Sequence, residues 1–133
     1  MKQHVLTLDL KRDPAAVRAY DRHHRAVWSV VLRSLHRVGV RRMDIFRLER
    51  RLVMILETTD GFDLKRSFAR HVASDPRCRE WETLMKSFQR APPGAAEGAL
   101  WTEMKPVFRF GVQWRASRGA TGEPAPRPGG RRG

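Results

Sequence analysis

Residues 4–14 read HVLTLDLKRDP, and this short stretch shows how the chain begins to fold. Leu6, Leu8 and Leu10 alternate with other residues at a period of two, which is typical of a strand with one buried face. Asp13 and Pro14 follow directly. An Asp–Pro pair favours a helix start, because the carboxylate caps free backbone N–H groups and proline suits the first turn. The sequence therefore predicts a strand that leads into a helix.

The predicted helix runs from Asp13 to Gly39 without a break. In an ideal helix Tyr20, His24 and Trp28 lie along one face, whereas His23 points about 100° away. We therefore expect His24 on the buried side of the helix and His23 at the surface or at a rim. The apolar face is formed by Val17, Tyr20, His24, Val27, Val31, Leu35 and Val38, which recur at steps of three and four residues.

The rest of the chain extends this beginning to the order βαββαβ. MDIFRL and LVMILET predict an antiparallel hairpin over about residues 43–58, and a helical region follows over about 62–88, interrupted at Asp75–Pro76. After the loop APPGAAEGA, the segment WTEMKPVFRF predicts a last strand, in which Pro106 favours an edge or a bulge. The order predicts an α+β, ferredoxin-like βαββαβ plait.

A single-layer sheet of this kind leaves one face open. In small proteins the cover is often a second copy of the chain, so we expect a homodimer in which two sheets face each other as a dimeric α/β barrel.

The length and composition indicate one domain followed by a tail. A chain of 133 residues fits a single domain, which we place at residues 1–114. Residues 115–133 consist largely of Gly, Pro and Arg, and their composition predicts a disordered basic tail. No run of about 18 apolar residues and no signal peptide is evident, so we expect a soluble cytoplasmic protein that does not enter a membrane.

The formal net charge of +13 raises the question of a polyanionic partner. Clustered arginines gain affinity for phosphates by releasing counterions, and residues 115–133 contain five Arg and one Glu. A basic nucleic-acid-binding module with an arginine-rich tail is therefore one open alternative. The other is that the arginines form an ordinary solvated surface, and this is the interpretation we favour.

His24 is the strongest candidate for chemistry. A lone histidine on an apolar helix face is commonly a hydrogen-bonded core residue, but an imidazole with a pKa near 6.5 also gives and takes protons at neutral pH. Tyr20, one turn earlier, could orient either the imidazole or a substrate oxygen. Trp28 and Trp81 offer flat apolar surfaces of the kind that pack against the C–H face of a sugar.

Other kinds of site have weaker support. Cys78 is the only cysteine, which excludes an internal disulfide and a cysteine-rich zinc site. His4, His36 and His71 share no ligand-like spacing, so we expect no metal, and no glycine-rich phosphate loop or G-x-S-x-G pattern points to a cofactor or a nucleophilic serine.

The motifs together resemble the L-rhamnose mutarotase family, small dimeric enzymes with a ferredoxin-like fold. The match runs from about Val5 to Phe110 and includes LDLKRDP, Tyr20-x-x-x-His24-x-x-x-Trp28, the hairpin IFRLERRLVMILET and Cys78-x-x-Trp81-x-x-x-Met85. The resemblance implies an isomerase that interconverts the α and β anomers of a small neutral sugar, without a metal or cofactor. It implies that His24 is the proton donor and that Tyr20 contacts substrate. It further places Trp28, Met43, Trp81 and Glu82 among the substrate-binding positions.

This chain departs from the family pattern at positions that the resemblance places in contact with the sugar. The family's rhamnose enzymes carry two adjacent tryptophans where this chain has Trp81–Glu82, and a tyrosine where it has Met43. Ser29 also replaces a frequent proline. Glu82 accepts two hydrogen bonds where a tryptophan donates one, so different hydroxyl groups would be recognised. The departures resemble a branch of the family that acts on L-fucose or another 6-deoxy sugar.

Overall fold

The computed structural model describes residues 1–119, so most of the predicted tail lies outside the described residues. The chain forms five helices and five strands over this range. They are β1 (Lys2–Leu10), α1 (Pro14–His24), α2 (Ser29–Arg37), β2 (Val40–Leu48), β3 (Arg51–Thr58), α3 (Leu64–Ala73), α4 (Pro76–Lys86), β4 (Gln89–Arg90), β5 (Thr102–Glu103) and α5 (Phe110–Gly119).

The strands form one antiparallel sheet in the order β2-β3-β1-β4, and β5 also pairs with β1. The two central strands pair over their full length, from Lys2 opposite Thr58 to Asp9 opposite Arg51. The predicted hairpin is confirmed and begins three residues earlier than expected, at Val40. The prediction of a ferredoxin-like α+β plait is confirmed.

The core lies between the sheet and the helices that cover one of its faces. Leu8 and Leu52 are opposite each other in the two central strands, and both are fully buried, as is Leu10. This confirms the alternation in residues 4–10. Each such leucine contributes about 1.5–3 kcal/mol through removal of its side chain from water, which fixes the register of the strands.

The predicted helix from Asp13 to Gly39 is wrong, because the structure has two helices there. Asp13 caps α1 as expected, accepting the Ala15 N–H at 3.0 Å. However, α1 ends at His24 and α2 begins at Ser29, with Trp28 in an extended conformation at φ −57° and ψ 134°. Trp28 is therefore not on the helical face of Tyr20. No side chain caps α2, so the sequence carried no start signal at this position.

The two-part helical region before residue 88 is confirmed as α3 and α4. Asp63 caps α3 and accepts the Arg66 N–H at 2.8 Å, while Asp75 caps α4 and accepts the Arg77 N–H at 2.8 Å. Cys78 is fully buried in the core cluster.

The predicted C-terminal strand is wrong in its extent. The last strand is only Thr102–Glu103, and Pro106, which has no N–H to donate to a sheet, lies in an irregular segment beyond it. Residues 115–119, at the start of the predicted tail, belong to helix α5. Within residues 1–119, no helix is long and apolar enough to cross a membrane.

Candidate active site

A cleft of about 730 Å³ opens between the sheet and the helices. This volume is in the range of small-molecule sites and accommodates a monosaccharide. Its walls include apolar side chains of the sheet, such as Leu6 and Ile45, and aromatic and titratable side chains of the helices. Five of the six predicted site residues line it, namely Tyr20, His24, Met43, Trp81 and Glu82.

His24 ends α1 with its imidazole held in one orientation. Its Nδ1 lies 2.9 Å from the backbone oxygen of Tyr20, and a carbonyl only accepts, so the neutral ring carries its proton on Nδ1. Burial lowers the pKa of His24, an effect that the Tyr20 carbonyl partly opposes. At neutral pH the ring is therefore mainly uncharged, with the lone pair on Nε2 available to accept a proton.

Tyr20 lies against this imidazole. The two ring centroids are 4.2 Å apart, and the planes are inclined by 30°. Burial raises the pKa of the Tyr20 phenol, and a hydrogen bond with the Gln89 side chain opposes part of that rise. Tyr20 therefore keeps its proton at neutral pH and serves as an O–H group. The sequence reading missed Gln89 because it lies in β4, a strand of two residues.

Two tryptophans follow one another beside His24 in edge-to-face contacts. The Trp81 ring lies 5.5 Å from the His24 ring at an angle of 70°, and the Trp28 ring lies 5.1 Å from Trp81 at 71°. Trp81 lines the cleft, but Trp28 does not. The Arg77 guanidinium lies 4.3 Å over the Trp28 ring. Trp28 thus holds Trp81 in place, and its predicted contact with a sugar is not visible in this geometry.

Met43 and Glu82, two of the departures from the family pattern, both lie in the cleft wall. Met43 projects from β2, and Glu82 follows Trp81 on α4. The Glu82 carboxylate lies 3.5 Å from Lys86 Nζ, one turn further along the helix. The cleft wall therefore contains a carboxylate beside an ammonium group, and both can form hydrogen bonds with hydroxyl groups of a ligand.

His23 is placed beside the cleft and does not line it. Its ring stacks on Phe88 at 5.8 Å and 27°, and it meets the edge of Trp81 at 6.3 Å. It is half-buried, which agrees with the rim position expected from the helical angle.

The sequence reading missed His71, which projects into the same cleft from α3. Its neighbours in sequence carry no signal of the pocket, because the cleft forms only when α3 packs against the other helices. Across residues 1–119, no group of three or more His, Cys, Asp or Glu side chains comes close enough to hold a metal ion.

Comparisons with known proteins identify the family. Residues 3–110 match the family model for L-rhamnose mutarotase. The chain belongs to this family. It is 40% identical over 110 residues to an L-fucose mutarotase from Xanthomonas campestris pv. campestris, which covers 81% of this chain and 87% of the relative. The family comprises sugar mutarotases, so the chain is a carbohydrate isomerase of the racemase and epimerase class.

Solved structures share the fold at low sequence identity. An L-rhamnose mutarotase from Formosa agariphila superposes with a TM-score of 0.60 at 16% identity, covering 83% of this chain and 99% of the other. The tetracenomycin F2 cyclase of Streptomyces glaucescens, a type-II polyketide cyclase, gives a TM-score of 0.50 at 18% identity, covering 82% and 98%. At these identities the likeness shows the fold alone.

Proposed function

We propose that this protein interconverts the α and β anomers of L-fucose or a closely related 6-deoxy sugar, with His24 as a proton-transfer residue. The observation that carries the proposal is the anchoring of His24 Nδ1 by the Tyr20 carbonyl, which directs the reactive Nε2 to the remaining side of the ring, in a cleft of monosaccharide size. The sequence similarity to an L-fucose mutarotase supports the choice of sugar.

The reaction needs two proton transfers. Opening the pyranose requires a proton on the ring oxygen and removal of the proton from the anomeric hydroxyl, and closure on the other face of C1 reverses both. His24, whose neutral ring leaves Nε2 free to accept a proton, carries one of these transfers. Tyr20, held as an O–H group, donates a hydrogen bond to a sugar oxygen, and Trp81 packs against the C–H face of the ring.

The test is saturation-transfer NMR on the anomeric protons of L-fucose, L-rhamnose and a panel of other aldoses. His24→Asn keeps an N–H donor for the Tyr20 carbonyl but removes the titrating nitrogen. We expect it to slow anomer exchange roughly 10²- to 10⁴-fold after subtraction of the buffer rate, the usual contribution of a positioned acid or base. His23→Asn is the matched control and is expected to retain most of the activity. Equal losses in both variants, or full activity in His24→Asn, would contradict the role of His24.

We propose that the Glu82 carboxylate in the cleft wall contributes to the choice between L-fucose and L-rhamnose. Glu82→Gln keeps the shape of the side chain and removes its charge, so we expect the ratio of exchange rates for L-fucose and L-rhamnose to change about tenfold, the equivalent of one charge-assisted hydrogen bond. The same ratio in Glu82→Gln as in the wild type would argue against a role for this carboxylate in specificity.

The protein is also proposed to act as a homodimer. The sheet face opposite the helices exposes Phe46 and Leu48, which are 57% and 77% accessible. The segment that ends in α5 has no buried residue and exposes further apolar side chains, namely Val107, Phe108, Phe110, Val112 and Trp114. Apolar surfaces of this extent favour association. Sedimentation velocity at micromolar concentration is expected to give twice the mass of 15.4 kDa, and a stable monomer would refute this.

A further inference from the structure

His71 is a second histidine in the cleft, and nothing in the chemistry assigned so far uses it. It projects from α3, whereas His24 ends α1, and both side chains line the same cavity. His71 is only 7% exposed. Two neighbouring residues of α4 each influence one of the two histidines. The Trp81 ring packs against His24, and the Glu82 carboxylate raises the pKa of His71 against the larger lowering by burial.

A closed ring of hydrogen bonds fixes the orientation of His71. The Ser74 hydroxyl donates its one hydrogen to the His71 backbone oxygen at 2.7 Å. The contact of 2.9 Å between Ser34 Oγ and Ser74 Oγ must then use the hydrogen of Ser34. The assignment that supplies a hydrogen to each of these short contacts has Ser34 Oγ accepting from His71 Nδ1, which lies 2.7 Å away, whereas the contact of Ser34 Oγ with the His71 backbone oxygen is longer, at 3.5 Å. The neutral His71 ring thus carries its proton on Nδ1.

The other ring nitrogen is the one available to a ligand. Among fully buried side-chain nitrogens and oxygens of residues 1–119, only His4 Nε2 lacks a partner. No described side chain or backbone atom hydrogen-bonds to His71 Nε2, yet this atom is not among those sealed from solvent, and His71 lines the cleft. His24 and His71 therefore have the same tautomer, with each Nδ1 held by the protein and each Nε2 lone pair unused.

We propose that His71 is a second catalytic residue, which exchanges a proton with the sugar oxygen that His24 does not serve. This inference rests on the proposed mutarotase function. With one proton on the pair, protonated His24 gives its proton to the ring oxygen while His71 Nε2 takes the proton of the anomeric hydroxyl. The C1–O5 bond breaks with its electrons moving to O5, and the C1–O1 bond becomes a carbonyl.

Closure returns the pair to its starting state. After rotation about C1–C2, O5 attacks the other face of C1, His71 returns its proton to O1, and His24 recovers the proton from O5. Atoms, electrons and protons balance without any co-reactant. The Glu82 carboxylate favours the imidazolium form of His71 during the step in which it holds the proton, while burial of the ring opposes it.

The charged surroundings determine how the pair titrates. The other titratable or charged side chains that line the cleft are Tyr20 on α1, Lys65 on α3, Arg79, Glu82 and Lys86 on α4, and Glu103 on β5. Of these, only Glu82 has a resolved influence on the pKa of His71. Outside this lining, His23 lowers and Asp21 raises the pKa of His24, both by less than burial lowers it. A pair that works with one shared proton gives a bell-shaped dependence of rate on pH, since both the doubly neutral and the doubly charged states are inactive.

The kinetic test uses His71→Asn, whose amide N–H replaces the Nδ1–H donor to Ser34 while the titrating Nε2 is lost. His36→Asn is the control, because His36 is exposed and does not line the cleft. Saturation-transfer NMR with L-fucose and L-rhamnose is expected to show a loss of roughly 10²- to 10⁴-fold in His71→Asn, with one limb of the pH profile missing and no loss in His36→Asn. Wild-type activity in His71→Asn, alongside an inactive His24→Asn, would overturn the role of His71 and leave the mutarotase function standing. No exchange by the wild type with any aldose would overturn both.

A second measurement does not depend on a variant that folds. In wild-type protein labelled with ¹⁵N-histidine, long-range ¹H–¹⁵N correlations are expected to show the Nδ1–H tautomer for both His24 and His71. Saturating L-fucose or L-rhamnose is expected to shift both Nε2 resonances. An Nε2–H tautomer at His71, or a His71 Nε2 resonance unmoved by the sugar that the enzyme turns over, would overturn the proposal.

Discussion

Ser34→Ala isolates the hydrogen-bond ring that orients His71. The substitution removes only the oxygen that accepts the His71 Nδ1–H at 2.7 Å and contacts Ser74 Oγ at 2.9 Å. Ser34 is 2% exposed, so water does not readily take its place. A buried donor left without a partner costs about 1–3 kcal/mol, which lowers the melting temperature of a domain of this size by roughly 3–15 °C.

The same substitution has a separate effect on rate. Without Ser34, the neutral imidazole is no longer held with its proton on Nδ1. A hydrogen bond worth about 1–2 kcal/mol changes the ratio of the Nδ1–H to the Nε2–H tautomer roughly 5- to 30-fold, so its loss shifts that ratio by this factor, and anomer exchange falls with the population that has a free Nε2 lone pair. Ser29→Ala is the matched control, because Ser29 is exposed at the start of the same helix.

Thermal denaturation followed by circular dichroism gives the first quantity, and saturation-transfer NMR gives the second. The reasoning is refuted if Ser34→Ala has the melting temperature and the exchange rate of Ser29→Ala. A loss of stability with an unchanged rate would show that the ring supports the fold but does not prepare His71 for proton transfer.

Three further outcomes are expected. Gly39→Ala should destabilise the protein by about 1–3 kcal/mol in urea denaturation, because Gly39 has φ +116° and an added Cβ would lie 2.6 Å from Thr59 Oγ1. Gly61→Ala is the control and should be tolerated, because a Cβ added there has no atom within 4 Å. Burial lowers the pKa of both His24 and His71, whereas the histidines of the unfolded chain keep their ordinary pKa of about 6.5. The unfolded chain therefore binds more protons below that pH, and the urea midpoint should fall as the pH drops through that value. A double Asn variant should show a smaller fall. Truncation after Gly119 should leave melting temperature and exchange rate unchanged, and a loss of salt-sensitive RNA retention in the truncated protein would support the nucleic-acid alternative.

Elements with a capping residue and a clear period were predictable from the sequence. The alternation around Leu8 placed β1, and the Asp–Pro pairs placed the starts of α1 and α4. The end of α1 was not predictable, because the apolar spacing continues through Trp28 and no capping side chain marks the break. The C-terminal strand was overestimated, since local propensity cannot show that only Thr102–Glu103 finds a partner strand.

The candidate site likewise contains residues that the sequence predicts and residues that only the structure shows. His24 and Tyr20 are one turn apart, so helical spacing alone brings their rings together. His71 reaches the cleft only through tertiary packing, because its orienting partner Ser34 is 37 residues away in the chain. Spacing rules detect groups on one helix, and a site formed between helices requires the structure.

The hairpin divides the proposed catalytic pair between two halves of the chain. His24 precedes the turn at Glu49, and His71 follows it. Strand β3, from the second half, lies between β1 and β2, from the first, so the halves interleave within the sheet. Neither half contains the cleft by itself. A chain cut at that turn would hold one histidine in each fragment, and anomer exchange would then report the reassembly of the two fragments.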